Sequence, residues 1–111
     1  MIEKIVLDYL LTELSVPVVM EKPKTVPEEY VLIEKTGSGV ENLINRATLA
    51  IQSVSSLSLY RAATLNETVK EAMDSIITLP AVSKSKLNSD YNFTNTETKE
   101  YRYQAVYDLV F

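Results

Sequence analysis

The stretch from Glu29 to Ser56, EYVLIEKTGSGVENLINRATLAIQSVSS, decides how the chain folds. Its opening alternates, with Tyr30, Leu32 and Glu34 on one side and Val31, Ile33 and Lys35 on the other. Period-two alternation predicts a strand. The chain's two glycines, Gly37 and Gly39, punctuate it. The segment beginning at Val40 has room for a helical turn. From Arg46 the pattern becomes strand-like, with Leu49 and Ile51 on one face and Thr48, Ala50, Gln52 and Val54 on the other. Two strands in succession predict a hairpin, its loop running roughly from Gly37 through Asn45. The glycines and the polar tip make Gly37, Ser38, Gly39, Val40 and Glu41 a candidate docking loop.

Working outward, Ile2, Ile5, Val6, Tyr9, Leu10 and Leu14 recur at helical spacing, and Pro17 closes that helix. Val18 to Glu21 reads as a short strand. Pro23 and Pro27 frame a connection that cannot be a central strand, since proline has no N–H to donate. After the hairpin, Ala62, Val69, Ala72, Met73, Ile76 and Ile77 mark a second helix that stops at Pro80. Two starts fit it: Ser58 as N-cap, or a capping box of Thr64 with Glu67. Two further strands follow, Ala81 to Asn92 and Glu100 to Phe111. The order α-β-β-β-α-β-β predicts one α+β domain over residues 1–111. It has a mostly antiparallel sheet with two helices packed on one face.

Composition narrows the chemistry. The 111 residues contain no cysteine and no histidine. That removes thiolate nucleophiles, disulfides and the commonest metal ligand and acid–base group. No catalysis and no cofactor are expected. Glu67, Glu71 and Asp74 lie three or four residues apart and could face a hard cation, but a solvated helix face with Lys70 nearby is the preferred reading, since charged helix faces are the norm. TGSG at Thr36 to Gly39 lacks the lysine and the spacing of a phosphate loop. The formal net charge of −4 argues against bulk attraction to nucleic acid. No apolar run approaches the length of a membrane span, and the N-terminal residues lack the pattern of a signal peptide. A cytoplasmic site of action is the expectation.

The last 25 residues are rich in tyrosine. Tyr91, Tyr101, Tyr103 and Tyr107 invite three readings. They pack on the helices, form a protein contact, or stack on bases. Lys99 and Arg102 are the only basic residues close by. The closing strand is expected to have a free edge and apolar residues on both faces, which makes Tyr103, Val106, Tyr107, Val110 and Phe111 candidate interface residues.

Four stretches carry a resemblance: Arg46 to Ser53, Ala62 to Met73, Leu87 to Asn95 (LNSDYNFTN) and Tyr101 to Leu109 (YRYQAVYDL). Together they resemble the tail terminator, or tail-to-head joining, proteins of long-tailed phages and prophages of Gram-positive bacteria. The resemblance covers about the last two-thirds of the chain. It implies an α+β virion protein without catalytic residues. Such a protein would form a hexameric ring on the finished tail tube and dock to the head connector. The implied partners are further copies of itself, the tail tube protein and the connector protein, with DNA passing through the ring without specific binding. The implied locations are the host cytoplasm during assembly and then the tail–head junction of the virion. The alternative from another class is a small cytoplasmic binding module for an oligonucleotide or a regulatory protein.

Overall fold

A computed structural model describes residues 1–98 and 100–111. Lys99, one of the two basic residues near the tyrosines, lies outside the described residues. The elements are α1 (Ile2–Glu13), β1 (Val18–Val19), β2 (Glu29–Glu41), β3 (Ile44–Ser55), α2 (Leu59–Asp74), β4 (Lys84–Asn92) and β5 (Tyr101–Val110). A single 3₁₀ turn at Ile76–Thr78 follows α2. The strands form one sheet in the order β1-β2-β3-β5-β4, antiparallel except for the β1–β2 pair. This is the expected α+β architecture, with both helices on one face of the sheet.

α1 buries the stripe its periodicity announces, whereas α2 buries only part of its own: Ile76 and Ile77 fall in the 3₁₀ turn beyond it, Ile77 exposed, and the polar Asn66 is buried in the stripe instead. The buried residues are Ile2, Val6, Tyr9 and Leu10 in α1 and Ala62, Asn66, Val69 and Met73 in α2. Ser58 caps α2, its side chain accepting from the Arg61 N–H. Thr64 sits inside the helix and donates to the Tyr60 carbonyl, so the Thr64–Glu67 start is not used. Val31, Ile33, Ala47, Leu49, Ile51, Ala105, Tyr107 and Leu109 complete the core from the sheet side. Each fully buried aliphatic side chain contributes about 1.5–3 kcal/mol over an exposed one. The Tyr9 hydroxyl ties the helices together by donating to the Ala72 carbonyl at 2.6 Å.

Several expectations need correction. The closing strand is not at an edge: β5 lies between β3 and β4. β4 folds back outside it and takes the edge. Its polar sequence suits that place, because charged edge positions discourage unwanted strand pairing. It also begins at Lys84 rather than Ala81, since the 3₁₀ turn and a bend carry the chain past Pro80.

The expected loop from Gly37 to Asn45 is not a loop. Gly37, Ser38, Gly39, Val40 and Glu41 continue β2, paired with Thr48, Ala47, Arg46, Asn45 and Ile44. The hairpin turns on Asn42 and Leu43 alone, with φ of 50° and 65°. Positive φ at both central residues is the geometry whose twist matches the flanking strands. Neither glycine has a positive φ, so the glycines do not make the turn. β1 is also shorter than expected, two residues, because the backbone leaves β2 after Val19.

Two register shifts orient the sheet. One lies between Lys35 and Gly37 and the other between Leu87 and Ser89. Each leaves one residue unpaired and exchanges the faces of the strand residues beyond it. The first turns Gly37 and Gly39 onto the helix-free face. The second turns Asp90 toward α2 while Lys84 and Lys86 stay on the helix-free face.

Candidate interaction site

Cross-strand rows on the helix-free face are read directly from the register. Gly39, Arg46, Val110 and Lys84 form one row, and Gly37, Thr48, Asp108 and Lys86 the next. These two rows line a cavity of about 570 Å³. A Cβ on either glycine would meet nothing within 4 Å, so the wall on that side is bare backbone. Arg46, Lys84 and Lys86 are all exposed at its rim.

Asp108 sits in the same cavity. Thr48 Oγ1 donates to its Oδ1 at 2.8 Å, and Asn88 Nδ2 donates to its Oδ2 at 2.9 Å. The bonds from Asn88 and Thr48, in that order, hold its carboxyl below the usual carboxylate range, against the opposing effect of burial. Asn88 is the residue left unpaired at the β4 bulge, which frees its side chain to reach across to β5.

The middle row is Leu32, Gln52, Gln104 and Tyr91. Gln52 Nε2 donates to Gln104 Oε1 at 3.0 Å, and Gln104 Nε2 donates to the Tyr91 hydroxyl. Gln52 is 6% exposed, yet its Oε1 has no partner among the described residues. At the far end Arg102 lies 5.3 Å from the Phe93 ring centre, and Phe93 meets Tyr91 edge-on at 6.0 Å.

On the opposite face, Asp90 ties the edge strand to α2. It accepts from Asn66 Nδ2 and from Lys70 Nζ, both at 2.7 Å. The bond to Asp90, followed by that to Glu67, pushes the Lys70 ammonium pKa up. The polar residues of LNSDYN thus act as fasteners: Asn88 to β5, Asp90 to α2, Tyr91 to the glutamine pair.

The candidate interface residues divide between the faces. Val106 and Val110 lie half-buried on the helix-free face. Tyr103 is half-buried on the helix face beside Ser53. Tyr107 is 2% exposed and is core; burial, with Asp74 nearby, pushes its hydroxyl up to about 12. Phe111 packs against the core's edge and donates its N–H to the Asn45 carbonyl. The four tyrosines of the closing hairpin therefore share no single surface. Tyr91 stands on the helix-free face, whereas Tyr101, Tyr103 and Tyr107 stand on the other.

The docking segment and the end of β5 do come together. Gly37, Gly39 and Val110 share the basic cavity, while Gly39, Val40 and Phe111 line a second one of about 250 Å³. Beyond them the hairpin tip exposes Val40, Leu43 and Ile44. Leu43 is 95% exposed and holds a left-handed conformation.

Neither a protein-family model nor a curated protein matches the chain.

Among the described residues, no group of three His, Cys, Asp or Glu side chains is placed to hold a metal ion. Glu67 of the acidic helix triad instead pairs with Lys70 at 3.1 Å. No helix is long and apolar enough to cross a membrane. Arg46, Lys84, Lys86, Asp108, Gln52 and Leu43 were not singled out from the sequence as site residues. The alternation of Lys84 and Lys86 was visible there as one face of a strand. Their neighbour Arg46 was not, because β5 stands between them.

Proposed function

We propose that this chain is a structural assembly protein of a long-tailed phage or prophage. It caps the completed tail tube as a ring, hexameric by the resemblance, and presents a surface to the head connector. It acts by contact, without a cofactor and without catalysis. DNA passes through the ring without specific binding. Assembly takes place in the host cytoplasm, and the protein ends at the tail–head junction.

The observation that carries this reading is the hairpin tip. Leu43 is fully exposed and sits where a side chain with a Cβ is strained, between exposed Val40 and Ile44. A strained, exposed apolar residue costs the monomer stability, and contact with a partner would offset that cost. The helix-free sheet face supports the reading too. It carries half-buried valines, a buried amide oxygen without a partner among the described residues and a basic cavity. That mixture suits burial against a neighbouring protein better than permanent exposure. The LNSDYNFT and YRYQAVYDL stretches that carry the resemblance contribute the edge strand of this face and the strand beside it.

Deleting the gene from its phage tests the proposal. The expected result is separate filled heads and tails, or tails of uncontrolled length. Joined, infectious particles would overturn it. Size in solution separates the proposal from a monomeric binding module.

A further inference from the structure

Lys4, Lys22, Lys35, Arg61, Lys70 and Arg102 each hold an ion pair within the chain. Among the described residues, Lys24, Arg46, Lys84 and Lys86 hold none. Three of those four surround one cavity on the helix-free face. The cavity's own carboxylate, Asp108, is engaged by Thr48 and Asn88. In a chain of net charge −4, unpaired positive charge is thus gathered at one place.

The helix layer is the counterpart. Glu71 and Asp74 are exposed on α2 and hold no ion pair among the described residues, and the same is true of Glu13 on α1. Glu13 and Glu71 line one shallow groove between the helices. This acidic layer lies across the sheet from the basic cavity.

We infer that copies of this chain associate head to tail, the Arg46–Lys84–Lys86 cavity of one copy receiving the Glu13, Glu71 and Asp74 carboxylates of the next. This rests on the ring reading proposed for the chain and names the surfaces that close it. The spacings agree. Lys84 and Lys86 stand about 7 Å apart along an edge strand, and Arg46 lies two strands away, about 10 Å. Carboxylates three residues apart on a helix are about 5–6 Å apart at Cβ. A two-fold dimer made through either surface would set like charges against each other. Pairing opposite faces instead gives a heterologous contact, which closes into a ring if the rotation per subunit allows. The bare glycine wall lets a helix approach the rim of the cavity.

Two charge-reversal variants of the full chain test this by sedimentation: Lys84→Glu with Lys86→Glu, and Glu71→Lys with Asp74→Lys. All four positions are exposed, so both variants should melt close to the parent. The parent should self-associate, and its association should weaken at least about tenfold between about 0.1 M and 1 M salt, as the screening length falls from about 10 Å to about 3 Å. Each variant alone should fail to assemble. An equimolar mixture should assemble again, because both contacts become complementary in alternation. A parent that stays monomeric at low salt overturns the inference, and so does salt-insensitive assembly or a mixture that fails to recover. If the lysine variant assembles normally but loses binding of a DNA duplex that the parent retains, the cavity is a phosphate site and the inference falls. Complementation of the gene deletion separates the two ideas. A lysine variant that restores joined particles removes the charge pairing and leaves the ring-cap reading standing. Joined particles without any protein remove that reading itself.

Discussion

Replacing Leu43 with glycine should make the protein more stable and worse at its task. Leu43 occupies the second central position of a two-residue turn at φ 65°, after Asn42 at φ 50°. A residue with a Cβ costs roughly 1–2 kcal/mol in the left-handed region, and glycine there is free of that cost. Glycine also loosens the unfolded chain, which returns about 0.4–1 kcal/mol of the gain. No packing is lost, since the side chain is 95% exposed. The net expectation is a gain of about 0.5–1 kcal/mol. For a domain near this size that raises the melting temperature by about 2–6 °C. Thermal unfolding followed by circular dichroism reads it. Leu43→Asn, which tolerates the same conformation, should gain in the same direction. An unchanged or lowered melting temperature for both variants would refute the strain. If the tip docks on a partner, the same glycine variant should lower head–tail joining in complementation. A more stable variant that joins as well as the parent would refute the docking role while leaving the strain argument intact.

Four other outcomes are expected. Asn66→Asp should destabilise the fold by about 3–5 kcal/mol, because it puts a carboxylate at a buried position against the carboxylate of Asp90 with only Lys70 to serve both; denaturant unfolding measures this, and Asn66→Ala should lose less, about 1.5–3 kcal/mol. Tyr91→Phe removes the acceptor of Gln104 Nε2 and should cost about 1 kcal/mol by the same measurement. Val106→Glu or Val110→Glu should lower the melting temperature only slightly, since both positions are half-exposed on the helix-free face, while reducing joining strongly; equal losses in both assays would make these valines core. The carboxyls of Glu29 and Asp108 are held below their usual range, Glu29 chiefly by its bond from Arg61 and Asp108 chiefly by that from Asn88. Their contribution is therefore complete above the unfolded value near pH 4 and is lost as pH falls through the lower folded values. The melting temperature should stay level from pH 7 to about pH 5 and fall below about pH 4, and Asn88→Ala should move that fall to higher pH.

Sequence by itself determined the order of the elements and the inner faces of α1 and β5. The 3.6-residue spacing of Ile2, Val6, Tyr9 and Leu10 and the alternation of Tyr101 to Leu109 each dictate a local structure and the side it buries. Those signals depend only on neighbours along the chain, so they are legible without a fold. Absent His and Cys narrowed the chemistry in the same local way. Strand order was not legible. β5 is apolar enough for either a covered centre or a sticky edge, and only the return of β4 along its outer side made it central. The hairpin turn was misplaced because glycine usually marks a turn. Here Asn42 and Leu43 take the left-handed conformations and the glycines stay extended in a strand. The two bulges were also invisible. A one-residue register shift leaves the hydrophobic pattern nearly intact, yet it decides that Asp90 faces α2 and that Gly37 and Gly39 share a face with Arg46, Lys84 and Lys86. The basic cavity exists only in the folded molecule. Its cations come from β3 and β4, separated in sequence by a whole helix, and strand pairing through β5 is what brings them together.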